Sequence, residues 1–186
     1  MTTREAIGWV ARQLSDELVI CTTGYTCRDM QSFGDRKENF YVIGSMGLAA
    51  SIGLGVALSH PRKKVVVFDG DGAILMGLGN LAMAGALKPA NFIHLVFDNE
   101  AFASTGNQRT YSSQVALEAI ARASGYPVVE KAATEEELAF AWGKVRDCSE
   151  TAFLLIKCRP DVGAPAERVR STPEDLTLRF REAVLC

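Results

Sequence analysis

The chain has 186 residues, 48% of them apolar and 23% charged, with a net charge of −2. That is the size of one domain with a sizeable core, and it offers no basic surface for nucleic acid or an anionic membrane. No apolar run reaches the roughly 18 residues of a membrane span, the first residues lack a signal-peptide apolar region, and the cytoplasm is the expected compartment.

Residues 3–16 read as an amphipathic helix with Ile7, Val10, Ala11 and Leu14 on one face, capped by Thr2 or Thr3. Leu18 to Cys21 reads as a short buried strand. It breaks at the polar loop Thr22-Thr23-Gly24-Tyr25-Thr26, which feeds a short helix over 28–33. A second strand over 40–43 breaks at Gly44-Ser45-Met46-Gly47. A helix over 48–59 follows, rich in small residues that suit close packing and stopped by Pro61. A third strand over 64–68 breaks at Asp69-Gly70-Asp71-Gly72-Ala73, and a helix over 75–87 ends before Pro89. A fourth strand over 92–97 breaks at Asp98-Asn99-Glu100-Ala101-Phe102, within a loop that runs to residue 113 and contains Ser104-Thr105-Gly106-Asn107-Gln108.

A helix over 114–124, stopped by Gly125, leads to a short strand at Val128-Val129. Thr134 followed by Glu135-Glu136-Glu137 predicts a capped helix through Val145. Residues 152–157 form a sixth strand, and 159–170 cross the surface. Pro173, after the cap Thr172, opens a last helix to Val184. Strands alternate with helices throughout. The expectation is an α/β fold, a doubly wound, mainly parallel six-stranded sheet with helices on both faces. It forms one domain over 1–186, with 159–186 as surface linker plus C-terminal helix.

Gly77-Leu78-Gly79-Asn80-Leu81-Ala82 partly imitates a dinucleotide fingerprint. It lies too far beyond the third strand for the strand-to-helix turn that motif needs, and close helix packing accounts for it. The five cysteines, Cys21, Cys27, Cys148, Cys158 and Cys186, form no CxxC and read as idle thiols. Of the two histidines, His94 reads as a satisfied core residue, and His60 sits at a helix end where a donor is favourable. A serine hydrolase triad or a His-rich metal site is not expected.

The chemistry concentrates at the third and fourth strand ends. In parallel α/β sheets ligands bind outside the carboxyl ends of strands. A carboxylate, Asp71, and a carboxamide, Asn99, at two such ends can meet across adjacent strands. Hard oxygen ligands of this kind, with a backbone carbonyl, suit Mg²⁺, which shares its shell with phosphate and water. Gly70 and Gly72 let a phosphate approach the backbone N–H groups.

Gly70-Asp71-Gly72 followed by Asn99 resembles the cofactor-binding signature of thiamine diphosphate enzymes. That family more often has Asn-Asn at the second site, so Asp98 is a mild departure. Gly44-Ser45-Met46-Gly47 and Ser104-Thr105-Gly106-Asn107-Gln108 are similar to the diphosphate-binding half of the sulfopyruvate and phosphonopyruvate decarboxylase group, and the likeness covers nearly the whole chain.

The resemblance implies thiamine diphosphate and Mg²⁺ as cofactors, with Asp71, Asn99 and the Ala101 backbone oxygen on the metal. Gly72 and Ala73 would donate N–H groups to the diphosphate; Ala73 lacks the hydroxyl that many relatives carry there. Ser104 and Thr105 would continue the phosphate-side contacts, and Thr23, Gly24 and Tyr25 would form the opposite wall. The Gly44 carbonyl would accept from the aminopyrimidine amine and Met46 would hold the cofactor bent. These two are the catalytic residues implied on this chain, and Ser45, Gly70 and Phe102 complete the implied contacts.

The same resemblance implies a half-site. The glutamate that activates the pyrimidine comes, in related enzymes, from a second domain for which 186 residues leave no room. Glu100 lies at the metal end. A pyrimidine-binding α subunit is therefore expected, in a hetero-oligomer of the α2β2 type or larger. The implied reaction converts a small 2-oxo acid, sulfopyruvate or 3-phosphonopyruvate, to the aldehyde and CO2. Arg28, Arg36, Lys37 and Arg109 are candidates for its anionic group by loop position, solvated surface charge being the ordinary reading of each. A carboligase subunit resembling acetolactate synthase, or a non-catalytic scaffolding subunit, are the alternatives.

Overall fold

The computed structural model describes residues 1–185. Its strands are β1 (Leu18–Cys21), β2 (Asn39–Tyr41), β3 (Val65–Gly70), β4 (Phe92–Asp98), β5 (Ala101–Phe102), β6 (Gln108–Arg109), β7 (Val128–Ala132) and β8 (Ala152–Lys157). Its helices are α1 (Thr3–Ala11), α2 (Tyr25–Phe33), α3 (Ala49–Ser59), α4 (Asp71–Met76), α5 (Gly79–Leu87), α6 (Leu117–Ser124), α7 (Glu135–Asp147) and α8 (Pro173–Leu185). Six strands form one sheet in the order β2-β1-β3-β4-β8-β7, every pair parallel; β5 and β6 form a separate antiparallel hairpin.

The central strands β3 and β4 are apolar on both faces because both faces are covered. Along β3, Val66 and Phe68 point into one core layer with Ile7, Met30 and Trp142 of α1, α2 and α7. Val65 and Val67 point into the other, with Leu54, Leu81 and Ala121 of α3, α5 and α6. On α3, a Cβ on Gly53 would lie 2.3 Å from Val67 Cγ2, so the small residue sets how close the helix comes to the sheet. His94 is fully buried on β4, its ring nitrogens 3.2 Å from Asp69 Oδ2 and 3.3 Å from the Tyr126 hydroxyl.

Thr2 closes α1 with a capping box to Glu5, and the Asp175 N–H donates to Thr172 Oγ1 at the start of α8. Several expected bounds shift. α1 stops at Ala11 rather than residue 16: the Gln13 and Leu14 N–H groups fall back on the carbonyls three residues behind, Val10 and Ala11, and the Ser15 N–H turns to the Glu17 carboxylate at 2.6 Å. β3 runs to Gly70 and α4 starts at Asp71, so the expected loop at 69–73 is a direct strand-to-helix turn.

The single helix expected over 75–87 is two helices. They part at Gly77, where a Cβ would sit 2.4 Å from the Gly47 carbonyl oxygen. The loop expected over 99–113 holds the β5–β6 hairpin, and the next helix begins only at Leu117. α2 begins earlier, at Tyr25, β2 covers Asn39–Tyr41, and β7 extends to Ala132. His60 ends α3 through its backbone N–H to the Val56 carbonyl, while its buried Nδ1 has no partner.

Cys21, Cys27, Cys148 and Cys158 are free; Cys186 lies outside the described residues. Among the described residues no helix is long and apolar enough to cross a membrane.

Candidate active site

β1 neighbours β2 on one side and β3 on the other, so the connections leaving β1 and β3 diverge at their carboxyl ends. Such a switch point opens a crevice. Thr22 to Thr26 after β1, Gly70 to Ala73 after β3, and Asn99 with Ala101 to Thr105 after β4 line it, with Met46, Thr3 and Asp161. It encloses about 100 Å³.

The expected residues Thr23, Gly24, Tyr25, Met46, Gly70, Asp71, Gly72, Ala73, Asn99, Ala101, Phe102, Ser104 and Thr105 therefore share one crevice. Gly44 and Ser45 do not line it; they are exposed on the rim, with Ser45 at φ 47°. The opposite walls meet where a Cβ on Gly24 would lie 3.1 Å from Ser104 Oγ. A Cβ on Gly72 would sit 2.3 Å from the Phe102 ring and 3.1 Å from Met46 Cε, so only glycine leaves the start of α4 open.

Asp71 is 3% exposed. Its Oδ2 accepts from the Thr110 hydroxyl and lies 3.2 Å from the Ser112 hydroxyl, and no cation pairs with it among the described residues. Burial raises its carboxyl above the ordinary range, against those hydroxyls, and the nearby Asp98 adds to the rise. Asn99 donates from Nδ2 to Thr3 Oγ1 at 3.1 Å, and its Oδ1 accepts the Ala101 N–H at 3.1 Å, which turns the chain into the hairpin. The Thr110 N–H donates to the Glu100 carbonyl, so by the alternation of an antiparallel ladder the Ala101 carbonyl points out of the hairpin. The Thr22 hydroxyl, at the crevice wall, is buried without a partner.

These donors and acceptors suit a hydrated divalent cation shared with an anionic oxygen ligand. An uncompensated buried carboxylate gains from a cation. A carboxamide oxygen and an out-turned carbonyl are hard ligands, and water and ligand oxygens fill the remaining positions of such ions. The Gly72 and Ala73 N–H groups in the first turn of α4, with the orphaned Thr22 hydroxyl, suit the anion.

Thr3, Thr22, Thr110, Ser112, Lys157 and Asp161 were not among the expected site residues. The Lys157 ammonium bonds Asp98 Oδ2 at 2.8 Å and Glu100 Oε1 at 2.7 Å. Asp98 and Lys157 are register partners at adjacent strand ends, the one signal that could have joined them. None of the expected anion-binding cations lines the crevice. Arg36 is spent on the Ser15 and Glu17 carbonyls and Asn39, at the amino end of β2, with Lys37 beside it in sequence. Arg28 stacks on Tyr25 at 5.1 Å, and Arg109 is exposed on β6.

A larger open groove of about 830 Å³ adjoins the crevice, between α1, α2 and residues 161–165.

Residues 20–158 match the family described as thiamine pyrophosphate enzyme, C-terminal TPP binding domain. The chain is 43% identical to phosphonopyruvate decarboxylase of Streptomyces viridochromogenes, over 91% of this chain and 42% of that one. It is 49% identical to sulfopyruvate decarboxylase subunit beta of Methanothermobacter thermautotrophicus over 67% of each chain. With the subunit beta of Methanococcus maripaludis it shares 36% identity over 99% of this chain and 98% of that one. It thus spans about two-fifths of the length of the phosphonopyruvate decarboxylases it matches. Among solved structures, 4-hydroxybenzoylformate decarboxylase of Rhodococcus jostii has a TM-score of 0.70 at 14% identity, over 87% of this chain and 33% of that one. At that identity the likeness is one of fold.

Proposed function

Because the chain belongs to the thiamine pyrophosphate enzymes, through their C-terminal TPP-binding domain, we propose that it is the diphosphate-binding subunit of a decarboxylase acting on sulfopyruvate or 3-phosphonopyruvate. The observation that carries this reading is the convergence of Asp71, Asn99 and Ala101 with Gly72 on one crevice at the sheet's switch point. Asp71 Oδ1, Asn99 Oδ1 and the Ala101 carbonyl would hold Mg²⁺, and the Gly72 and Ala73 N–H groups with the Thr22 hydroxyl would receive the diphosphate. Thiamine diphosphate, when bound, supplies the electron sink into which a 2-oxo acid releases CO2.

This chain's residues bind and orient. Met46 stands against Gly72 at the open side of the crevice. The Gly44 carbonyl, on the exposed rim, is free to accept from the aminopyrimidine. Asn80 holds that rim, its Nδ2 donating to the Gly47 carbonyl at 3.0 Å.

A second chain completes the site. The crevice, at about 100 Å³, is well below the roughly 300 Å³ where small-molecule pockets begin. No glutamate lines it, and Glu100 is bound to Lys157. The near full-length match to a protein named subunit beta supports a pyrimidine-binding α subunit that brings the activating carboxylate, in an α2β2 or larger assembly.

The test is reconstitution. The chain, its partner, thiamine diphosphate and Mg²⁺ together should release CO2 and aldehyde from one of the two 2-oxo acids, and Asp71→Ala should abolish cofactor retention. Full-rate decarboxylation by the lone chain would contradict the half-site. Cofactor retention unchanged in the Asp71 variant would contradict the metal assignment, and a carboligation product would move the chain to the alternative branch of the superfamily.

A further inference from the structure

The metal reading leaves open which oxygen of Asp71 meets the ion, and the following inference rests on that reading. Carboxylate orientation about χ2 is soft, with no staggered well to hold it. Something must fix it if Asp71 is to present one oxygen. Thr110 Oγ1 and Ser112 Oγ both reach Asp71, and both reach the same atom, Oδ2, Ser112 at 3.2 Å. No side chain among the described residues bonds Oδ1. Ser112 Oγ also lies 2.8 Å from Asp98 Oδ1 and 3.0 Å from Thr110 Oγ1.

Asp98 is itself anchored, by Lys157 Nζ at 2.8 Å and the Glu100 N–H at 3.2 Å. Asp71, Asp98, Thr110 and Ser112 are all buried. Each hydroxyl carries one proton. The pair thus supplies one donor for Asp71 Oδ2 and one for Asp98 Oδ1, and ties the two carboxylates to each other. The tie runs from the end of β8 through the end of β4 to the start of α4. It is built by a segment that neither strand-end motif includes.

We propose that Thr110 and Ser112 are positioning residues for the metal: Thr110 donates to Oδ2 and Ser112, held on Asp98, packs beside it, which leaves Oδ1 of Asp71 turned toward the crevice. The anchored Asp98 keeps Ser112 in place. Its carboxylate is matched by Lys157 across the strand pair. Partners of this kind set metal affinity by orienting the ligand.

The experiment titrates Mn²⁺, read by electron paramagnetic resonance, into the chain reconstituted with its partner subunit and saturating thiamine diphosphate. Cofactor-dependent Mn²⁺ binding by the wild type tests the underlying reading, and its absence sinks that reading and the inference together. Given that binding, Ser112→Ala and Thr110→Val should each weaken Mn²⁺ by about 10-fold or more. Ser112→Thr and Thr110→Ser, which keep the hydroxyl, should stay close to wild type. Unfolding without metal is measured on every variant. A merely structural role would lower the unfolding midpoint and leave the affinity of the folded protein unchanged, and that result overturns the proposal alone. An equal loss in the hydroxyl-retaining variants overturns it as well. If either alanine or valine variant does not fold, the other decides.

Discussion

Asp29 on α2 is 3% exposed, with Arg4 Nη1 at 3.1 Å. Burial outweighs the guanidinium and pushes the carboxyl up to about 6. The unfolded chain titrates near 3.9, so the folded form holds the proton more tightly. Its contribution to stability is therefore greatest below about pH 4 and is lost as pH rises through about 6. Asp29 should cost about 1–2 kcal/mol between pH 4.5 and 7.5, and Asp29→Asn should flatten that part of the profile, read by urea unfolding at both pH values. A slope unchanged in the variant would place the burden on another group. At this scale Asp71 and Asn99 were legible because each follows an apolar run. Thr110 and Lys157 were not, because they reach Asp71 and Asp98 across 39 and 59 residues, and no local pattern encodes such a contact.

α3 lies against the sheet at Gly53, where a Cβ would overlap Val67 Cγ2 at 2.3 Å; at Gly55 on the same helix nothing lies within 4 Å. Overpacking of this kind costs about 1–3 kcal/mol, while removing a helical glycine in open space gains roughly 0.5–1 kcal/mol. Gly53→Ala should lower, and Gly55→Ala raise, the urea midpoint. A common sign would mean the helix shifts freely on the sheet. The strands were read well because buried apolar runs such as Val65 to Phe68 are unambiguous between turn residues. The helices were read less well. Gly77 breaks α4 from α5 only because the Gly47 loop presses on it, and α1 ends where Gln13 and Leu14 tighten to bonds three residues back, short of the apolar face the sequence extends to Leu14. The hairpin of β5 and β6 is two residues per strand, too short for any alternation to show.

For the whole molecule, the parallel sheet was legible because six strand signals alternate with helices; the order of the strands was not, since alternation fixes direction and leaves sequence of neighbours free. A ligand that binds only the folded chain stabilises it, by about 2.7 kcal/mol at a hundred times its Kd. That corresponds to about 5–10 °C for a chain of this length. Chelating divalent metal should lower Tm by that order when thiamine diphosphate is present and leave it unchanged when it is absent. Equal shifts in both would mean the ion binds elsewhere. The wholly parallel sheet carries a further consequence for how the chain is made. β4 finds its second neighbour only when β8 has been synthesised, Ile93 opposite Ala152. At ribosomal speeds that wait is on the order of several seconds. Throughout it, a strand that is wholly buried in the finished fold has an open edge in the crowded cell, so weaker induction, which keeps fewer such chains in synthesis at once, should raise the yield of usable material.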